Sequence, residues 1–191
     1  MAAAPVRILL ISGALRDGSV HTAALRTAVA LDVPGVDAVL YDDVAALPHF
    51  NPDDDPMDGT PPVPVVALRA ALADADAVLF STPEYAGALP GAFKNLLDWS
   101  VGGGETDRMH AGWINTAGPA APSGAADAHA SLRKVLGYTG TIVVEEACVR
   151  IPLGRDAVGD DGTAGDPRVR AQIADVLRAL AAAVDVARAA A

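Results

Sequence analysis

The sequence predicts an α/β fold built on a doubly wound parallel sheet. Short apolar runs of strand length alternate with longer segments in which apolar residues recur at helical spacing. The short runs are rich in Val, Leu and Ile with little polar alternation, which is typical of strands covered by helices on both faces. Five such strands predict the order 2-1-3-4-5, with helices on both faces of the sheet.

The first half of the chain supplies two predicted strands, over residues 6–11 and 36–41. Between them, small and aliphatic side chains at helical spacing predict a helix that ends before Pro34 and Gly35, because both residues favour a break. Residues 48–64 are rich in Pro and Asp and predict a long excursion at the carboxyl edge of the sheet. Such excursions often border a binding site.

The second half of the chain repeats the alternation. The predicted strands cover residues 77–80, 112–116 and 141–144. The predicted helices cover residues 63–73, begin at Pro90, pass through Leu132 and pass through Leu177. The helix that begins at Pro90 is expected to end at the glycines 102–104. We expect one domain over residues 1–191, since a chain of this length can bury a hydrophobic core without disulfide bonds or structural metals.

Composition limits the partners and the compartment. A net charge of −10 argues against nucleic acid, because backbone phosphates would be repelled. No apolar run approaches the roughly 20 residues that a membrane span needs, so we expect no membrane insertion and a cytoplasmic protein. Cys148 is the single cysteine and is expected to be a buried structural thiol.

The predicted strand order brings two loops together. Strands 1 and 3 are neighbours whose connections leave to opposite faces, so residues 12–19 and 81–88 meet at one crevice, where such folds bind ligands. The hydroxyls of Ser12 and Ser19, the guanidinium of Arg16 and a helix N-terminus behind them favour a phosphate. The alternative is that Ser19 is only a helix cap and Arg16 only a surface side chain.

The second loop offers a flatter surface. Pro83 and Tyr85 are flat or apolar, and the backbone N–H groups from Glu84 to Gly87 can face a planar heterocycle with polar edges. A purely structural tight turn remains the alternative. Residues 117–123, after strand 4, form the other wall of the crevice. The spacing of the first loop fits neither the Walker pattern nor the Gly-x-Gly-x-x-Gly turn of dinucleotide-binding folds.

Two segments of these loops carry a family resemblance. Residues 13–21 read Gly-Ala-Leu-Arg-Asp-Gly-Ser-Val-His, and residues 82–99 read Thr-Pro-Glu-Tyr-Ala-Gly-Ala-Leu-Pro-Gly-Ala-Phe-Lys-Asn-Leu-Leu-Asp-Trp. The first resembles the Gly-Ser-x-Arg-x-x-Ser-x-Asn phosphate loop of the NADPH-dependent FMN reductases, which are flavodoxin-like enzymes that include quinone, chromate and azo-dye reductases. The second resembles their Thr-Pro-Glu-Tyr-Asn-x-Ser-x-Pro-Gly-x-Leu-Lys-Asn-x-x-Asp-Trp block, which is highly specific.

The resemblance implies an FMN-dependent oxidoreductase with NADPH or NADH as co-substrate and a quinone, a free flavin or a similar small molecule as acceptor. It also implies a homodimer or homotetramer. The flavin carries the chemistry, so no protein residue is assigned a catalytic role and no metal is expected. The alternative function is a flavodoxin-like flavin-binding or electron-carrier protein without reductase turnover.

Carried over by position, the resemblance implies that Arg16 and Ser19 hold the FMN phosphate, while the second and third loops line the isoalloxazine ring. The full set of cofactor-binding residues is Ser12, Ala14, Leu15, Arg16, Ser19, Val20, His21, Pro83, Glu84, Tyr85, Ala86, Gly87, Ala117 and Gly118.

Four side chains of the family pattern are replaced in this chain. The family serine is Ala14, its asparagine is His21, and the later Asn and Ser are Ala86 and Ala88. Arg16 is then the one fixed cation that the sequence places beside the phosphate. If the ring of His21 reached the phosphate, FMN affinity would rise as the pH falls from about 7.5 to 6, since imidazole titrates near 6.5.

Overall fold

Five parallel strands form one sheet in the computed structural model, which describes residues 4–190. The strands are β1 (Val6–Ser12), β2 (Val36–Tyr41), β3 (Ala77–Ser81), β4 (His110–Asn115) and β5 (Ile142–Arg150). The main helices are α1 (Val20–Ala30), α2 (Val63–Ala73), α3 (Gly91–Gly103), α4 (Ala126–Tyr138) and α5 (Pro167–Ala190). The strand order β2-β1-β3-β4-β5 confirms the predicted fold class and topology.

The sheet is buried between two apolar layers. Alternate residues of β1 enter opposite layers: Ile8 and Leu10 pack with α1 and α5, whereas Leu9 and Ile11 pack with α2, α3 and α4. Successive side chains of a strand point to opposite faces, so a strand covered on both sides must be apolar at every position. This packing explains why β1 reads as an unbroken apolar run.

The last strand is longer than predicted. Residues 141–144 were expected, but β5 runs from Ile142 to Arg150. Its pairing with β4 is interrupted between Ala111 and Trp113, and the exposed Glu145 and Glu146 lie in this irregular part of β5. An edge strand tolerates polar side chains and bulges, so the acidic pair interrupts the apolar pattern without ending the strand.

The long excursion after β2 is fastened to α3. Asn95 accepts a hydrogen bond from the backbone N–H of Phe50 at 2.7 Å and donates to the carbonyl of Pro48 at 2.8 Å. Trp99, fully buried, donates to the same carbonyl at 2.8 Å. Farther along, Asp55 forms a salt bridge of 2.7 Å with Arg69 of α2. The excursion is therefore an anchored part of the carboxyl edge.

None of the helices in residues 4–190 combines the length and the apolar character that crossing a membrane requires.

Candidate cofactor-binding site

The first loop lies against the end of β3. The N–H of Gly13 donates to the carbonyl of Ser81 at 2.8 Å, and a Cβ on Gly13 would lie 2.3 Å from Thr82 Oγ1, so only glycine fits there. At the other end of the loop, Ser19 is the N-cap of α1 and its Oγ accepts from the N–H of His21 at 3.2 Å. Its hydroxyl hydrogen remains able to donate to a ligand.

The second loop is a tight turn closed by two backbone hydrogen bonds between Tyr85 and Ala88, of 3.0 and 3.1 Å. Ala86 and Gly87 at its tip both have positive φ, 52° and 70°. A left-handed conformation costs an L-residue other than glycine roughly 1–2 kcal/mol, and Asn tolerates it better than Ala. This explains the Asn of the family pattern at position 86. Tyr85 stays 54% exposed beside the turn.

The carboxylate of Glu84 is bound to the start of α4. Its Oε2 accepts from the N–H groups of Asp127 at 3.0 Å and Ala128 at 3.1 Å, and its Oε1 accepts from the hydroxyl of Ser123. The Ser123 hydrogen bond, followed by that from Ala128, lowers the pKa of Glu84 below its usual value. Glu84 therefore acts as an anionic cap of α4 and joins the second loop to the third.

The ring of His21 is directed toward the ends of β3 and β4. Its Nδ1 lies 3.0 Å from Ser81 Oγ and 3.1 Å from Thr116 Oγ1. Because Ser81 Oγ donates its hydrogen to the carbonyl of Ile114 at 2.7 Å, it accepts from His21, which assigns the proton to Nδ1. Burial, with a smaller contribution from His129, lowers the pKa of His21 to about 4. Burial therefore favours the neutral ring in the FMN-free protein, and a His21 cation at the phosphate stays a prediction.

The third loop is held by residues that sequence reasoning missed. Arg150, at the end of β5, donates to the carbonyls of Ala117 at 3.0 Å and Gly118 at 2.9 Å. Asn115 accepts from the N–H of Ala117 at 2.9 Å and donates to the carbonyl of Gly124 at 2.8 Å. The underestimated length of β5 concealed Arg150, since a strand ending at residue 144 would stop short of this loop.

Two clefts flank the first loop. The crevice cleft, about 270 Å³, lies between the first and second loops and is lined by Ala14, Arg16, Ser19, Val20, His21, Pro83, Tyr85 and Arg155. All of these except Arg155 were predicted from the sequence. Arg155 begins a short 3-10 helix, Arg155–Ala157, beyond β5, and brings a second guanidinium to the cleft.

The remaining predicted residues lie around this cleft. Ser12 and Leu15 line the other one, the β2-side cleft of about 360 Å³, which shares Ala14, Arg16 and Ser19 with the crevice cleft. The rest belong to the second and third loops and line neither cleft in the part of the chain that the structure describes: Glu84, Ala86, Gly87, Ala117 and Gly118. Their contacts with a cofactor stay predictions.

Comparison with known proteins identifies the family. The family model described as NADPH-dependent FMN reductase matches residues 6–156. The chain belongs to this family. It is 33% identical over 175 residues to an NAD(P)H-dependent FMN reductase of Pseudomonas aeruginosa, covering 92% of this chain and 93% of that protein. The family, the FMN cofactor and the nicotinamide co-substrate were therefore predicted correctly from the two loop motifs.

Other relatives of this FMN reductase chain point the same way. It is 40% identical over 98 residues to an NADPH:quinone oxidoreductase of Arabidopsis thaliana, covering 50% of this chain and 49% of that protein. Among solved structures, FerB, a flavoenzyme NAD(P)H:(acceptor) oxidoreductase from Paracoccus denitrificans, aligns with a TM-score of 0.75 at 26% identity, covering 95% of this chain and 98% of that one. A flavodoxin from Pseudomonas aeruginosa, at 18% identity and a TM-score of 0.55, supports the flavodoxin-like fold alone.

The crevice cleft of this FMN reductase fits the phosphate of its cofactor. Arg16 and Arg155 supply two guanidinium groups, the start of α1 supplies backbone N–H groups, and the Ser19 hydroxyl can donate. Beside them, no atom lies within 4 Å of the position that a Cβ on Gly87 would take, so the turn leaves open space. The donor set is that of a monophosphate site with an adjoining flat wall.

Proposed function

We propose that this protein is an FMN-dependent oxidoreductase that takes reducing equivalents from NAD(P)H and passes them to a quinone, a free flavin or a similar small acceptor. One observation carries the proposal: both family motifs meet at the crevice cleft, which is lined by Arg16, Arg155 and the exposed Tyr85. FMN supplies the hydride-transfer chemistry when it is bound.

The protein's own part is binding and positioning. Arg16 and Arg155 balance the charge of the phosphate, and the Ser19 hydroxyl adds a neutral donor. Tyr85 and Pro83 form the wall of the cleft, while Glu84 holds the second loop against α4. This arrangement fixes the cofactor at the carboxyl edge and leaves one side of the cleft open to solvent for the two substrates.

Steady-state kinetics with the FMN-loaded protein test the proposal. Nicotinamide and acceptor would use the same open side in turn, so we expect a ping-pong mechanism and parallel double-reciprocal plots when NADPH is varied at several quinone concentrations. Intersecting plots would indicate a ternary complex instead. A protein that binds FMN but consumes no NADPH or NADH with any quinone would be an electron carrier, and the reductase proposal would be wrong.

For the assembly we propose a single-domain protein that forms a homodimer or homotetramer in the cytoplasm. The family resemblance supports the oligomer, and so does the exposure of two large apolar side chains, Val101 at 59% and Tyr138 at 89%, which line one surface depression. The acidic composition is compatible with a dissolved protein. Light scattering after gel filtration tests the oligomer, and a monomer at micromolar concentration would contradict it.

A further inference from the structure

The cation at the end of β5 has no anionic partner in the described part of the chain. Arg150 is exposed, and none of the salt bridges within residues 4–190 includes it. Its Nε donates to the carbonyl of Ala117 at 3.0 Å, and its Nη2 donates to that of Gly118 at 2.9 Å. Carbonyl oxygens satisfy these N–H groups but carry no net charge, so no protein anion balances the guanidinium.

The third loop is shaped around this guanidinium. Gly124 has a positive φ of 61°, and a Cβ there would lie 2.9 Å from Arg150 Nη1, so a side chain at this position would push the guanidinium away. Asn115 ties the two ends of the loop together, because it accepts from the N–H of Ala117 and donates to the carbonyl of Gly124. The fold therefore holds the cation against the third loop.

Hydrogen bonds place the third loop beside the crevice cleft. Thr116, the residue before Ala117, has its Oγ1 3.1 Å from Nδ1 of His21, which lines the cleft. At the other end of the loop, Ser123 donates to the carboxylate of Glu84 in the second loop. The third loop and the guanidinium that it holds therefore border the same crevice as the second loop.

The other charged groups around the crevice have other partners. The carboxylate of Glu84 accepts from the Ser123 hydroxyl and from two N–H groups at the start of α4. Arg16 and Arg155 line the crevice cleft, where the cofactor would bring its phosphate, whereas Arg150 does not line it. Arg150 is therefore a positive charge at the crevice that is left without a counter-charge when the cofactor is oxidised.

Reduction of a flavin supplies a negative charge. NAD(P)H transfers a hydride, which is two electrons and one proton, and becomes NAD(P)+ with one more positive charge. FMN accordingly gains one negative charge, and it loses that charge when the hydride passes to a quinone, which takes its second proton from solvent. A fixed cation near the flavin stabilises the reduced state relative to the oxidised state and so raises the reduction potential.

We propose that the guanidinium of Arg150, held in the third loop, stabilises the reduced flavin electrostatically and raises the reduction potential of the bound FMN. This inference rests on the proposed function, because it concerns the cofactor of the same reaction. Arg150 is also a positioning residue for the third loop, since its two hydrogen bonds fix the carbonyls of Ala117 and Gly118. Substitutions can separate the charge from these hydrogen bonds.

Reduction potentials test the proposal without turnover. Stepwise reduction of the FMN-loaded protein by dithionite, in equilibrium with a reference dye, gives the potential of bound FMN. Its difference from the potential of free FMN gives the ratio of the Kd for oxidised FMN to the Kd for reduced FMN. Arg150→Gln removes the charge and keeps an N–H donor, and it should lower this ratio about threefold to tenfold. For a two-electron couple, that is a potential lower by roughly 15–30 mV.

Two further variants separate the charge from the hydrogen bonds. Arg150→Lys keeps the charge but loses the paired N–H geometry, so it should keep most of the ratio. Arg168→Gln removes an exposed charge at the start of α5, which lines neither cleft, and should leave the ratio unchanged. A wild-type ratio in Arg150→Gln, or an equal fall in Arg150→Gln and Arg150→Lys, would overturn the proposal.

Failure of the proposed function would give a different result. The potential of Arg150→Gln would still lie below that of the wild type, while neither protein would oxidise NADPH with a quinone. Because Arg150 is exposed, its replacement should leave the fold intact, which circular dichroism of the FMN-free variants checks. Arg150→Met is a second neutral variant and should lower the ratio to the same extent as Arg150→Gln.

Discussion

The buried imidazole of His21 makes the stability of the protein depend on pH. Its pKa falls from 6.5 to about 4 on folding, so between these pH values the unfolded state binds more protons. The stabilisation is therefore complete above about pH 6.5 and is lost as the pH falls towards 4, by at most about 3 kcal/mol. Urea unfolding of the FMN-free protein at pH 7.5, 6 and 5 measures this change.

The family residue provides the control for His21. His21→Asn removes the titrating group, so its stability should fall less steeply between pH 7.5 and 5 than that of the wild type. The burial of His129 also lowers the pKa of that residue, and its contribution is common to both proteins. Identical pH dependence in the two proteins would show that His21 is not buried as a neutral ring.

Both arginines of the crevice cleft, Arg16 and Arg155, should contribute to the affinity for the FMN phosphate. Arg16→Ala should weaken FMN on the order of tenfold to a hundredfold, the range for a charge-assisted contact. Arg155→Ala should also weaken it, and the double variant should bind more weakly than either. FMN fluorescence titration gives the affinities, with Arg168→Ala as the control. If Arg16→Ala bound FMN with the wild-type affinity, the phosphate would have to bind at another place.

At the scale of one element, α4 depends on a cap from another loop. Glu84→Gln replaces one acceptor oxygen by an NH2 group and removes the charge, so the N–H groups of Asp127 and Ala128 lose their anionic partner. We expect a melting temperature lower by a few degrees and faster amide exchange at the first turn of α4. Hydrogen exchange by NMR measures the second effect.

Glu145→Gln is the matched control for this cap. Glu145 is an exposed carboxylate paired with Arg133, so its loss should leave exchange in the first turn of α4 unchanged. If Glu84→Gln leaves the amides of Asp127 and Ala128 as well protected as in the wild type, Glu84 does not cap α4.

For the whole molecule, FMN rather than FAD should stabilise the fold. Arg16, Arg155 and Ser19 all line the crevice cleft of about 270 Å³, and the first loop lacks the Gly-x-Gly-x-x-Gly turn that lets a backbone approach a pyrophosphate. A ligand that binds only the native state stabilises it by roughly 2.7 kcal/mol at a hundredfold excess over Kd. Differential scanning fluorimetry should show a larger shift with FMN, and an equal shift with FAD would contradict this.

Several features of the candidate site could not be predicted from single sequence positions. His21 aligned with a phosphate-binding residue of the family pattern, but its environment depends on Ser81 and Thr116, which lie 60 and 95 positions away. Glu84 aligned with the ring-binding loop, but its carboxylate is taken by α4. The hydrogen bonds of each side chain depend on which groups lie close to it, and packing between distant segments of the chain sets those groups.

The sequence by itself determined the layered fold, the strand order, the crevice between the first two loops and the family. These follow from apolar periodicity and from two local motifs, whose residues are neighbours along the chain. Only the tertiary structure decided that the His21 ring is buried against Ser81 and Thr116, that Arg155 joins Arg16, and that a second cleft lies beside β2. The physical reason is that burial and charge pairing depend on side chains that the fold brings together across the sheet. The spacing of residues along the sequence does not show which distant side chains will meet.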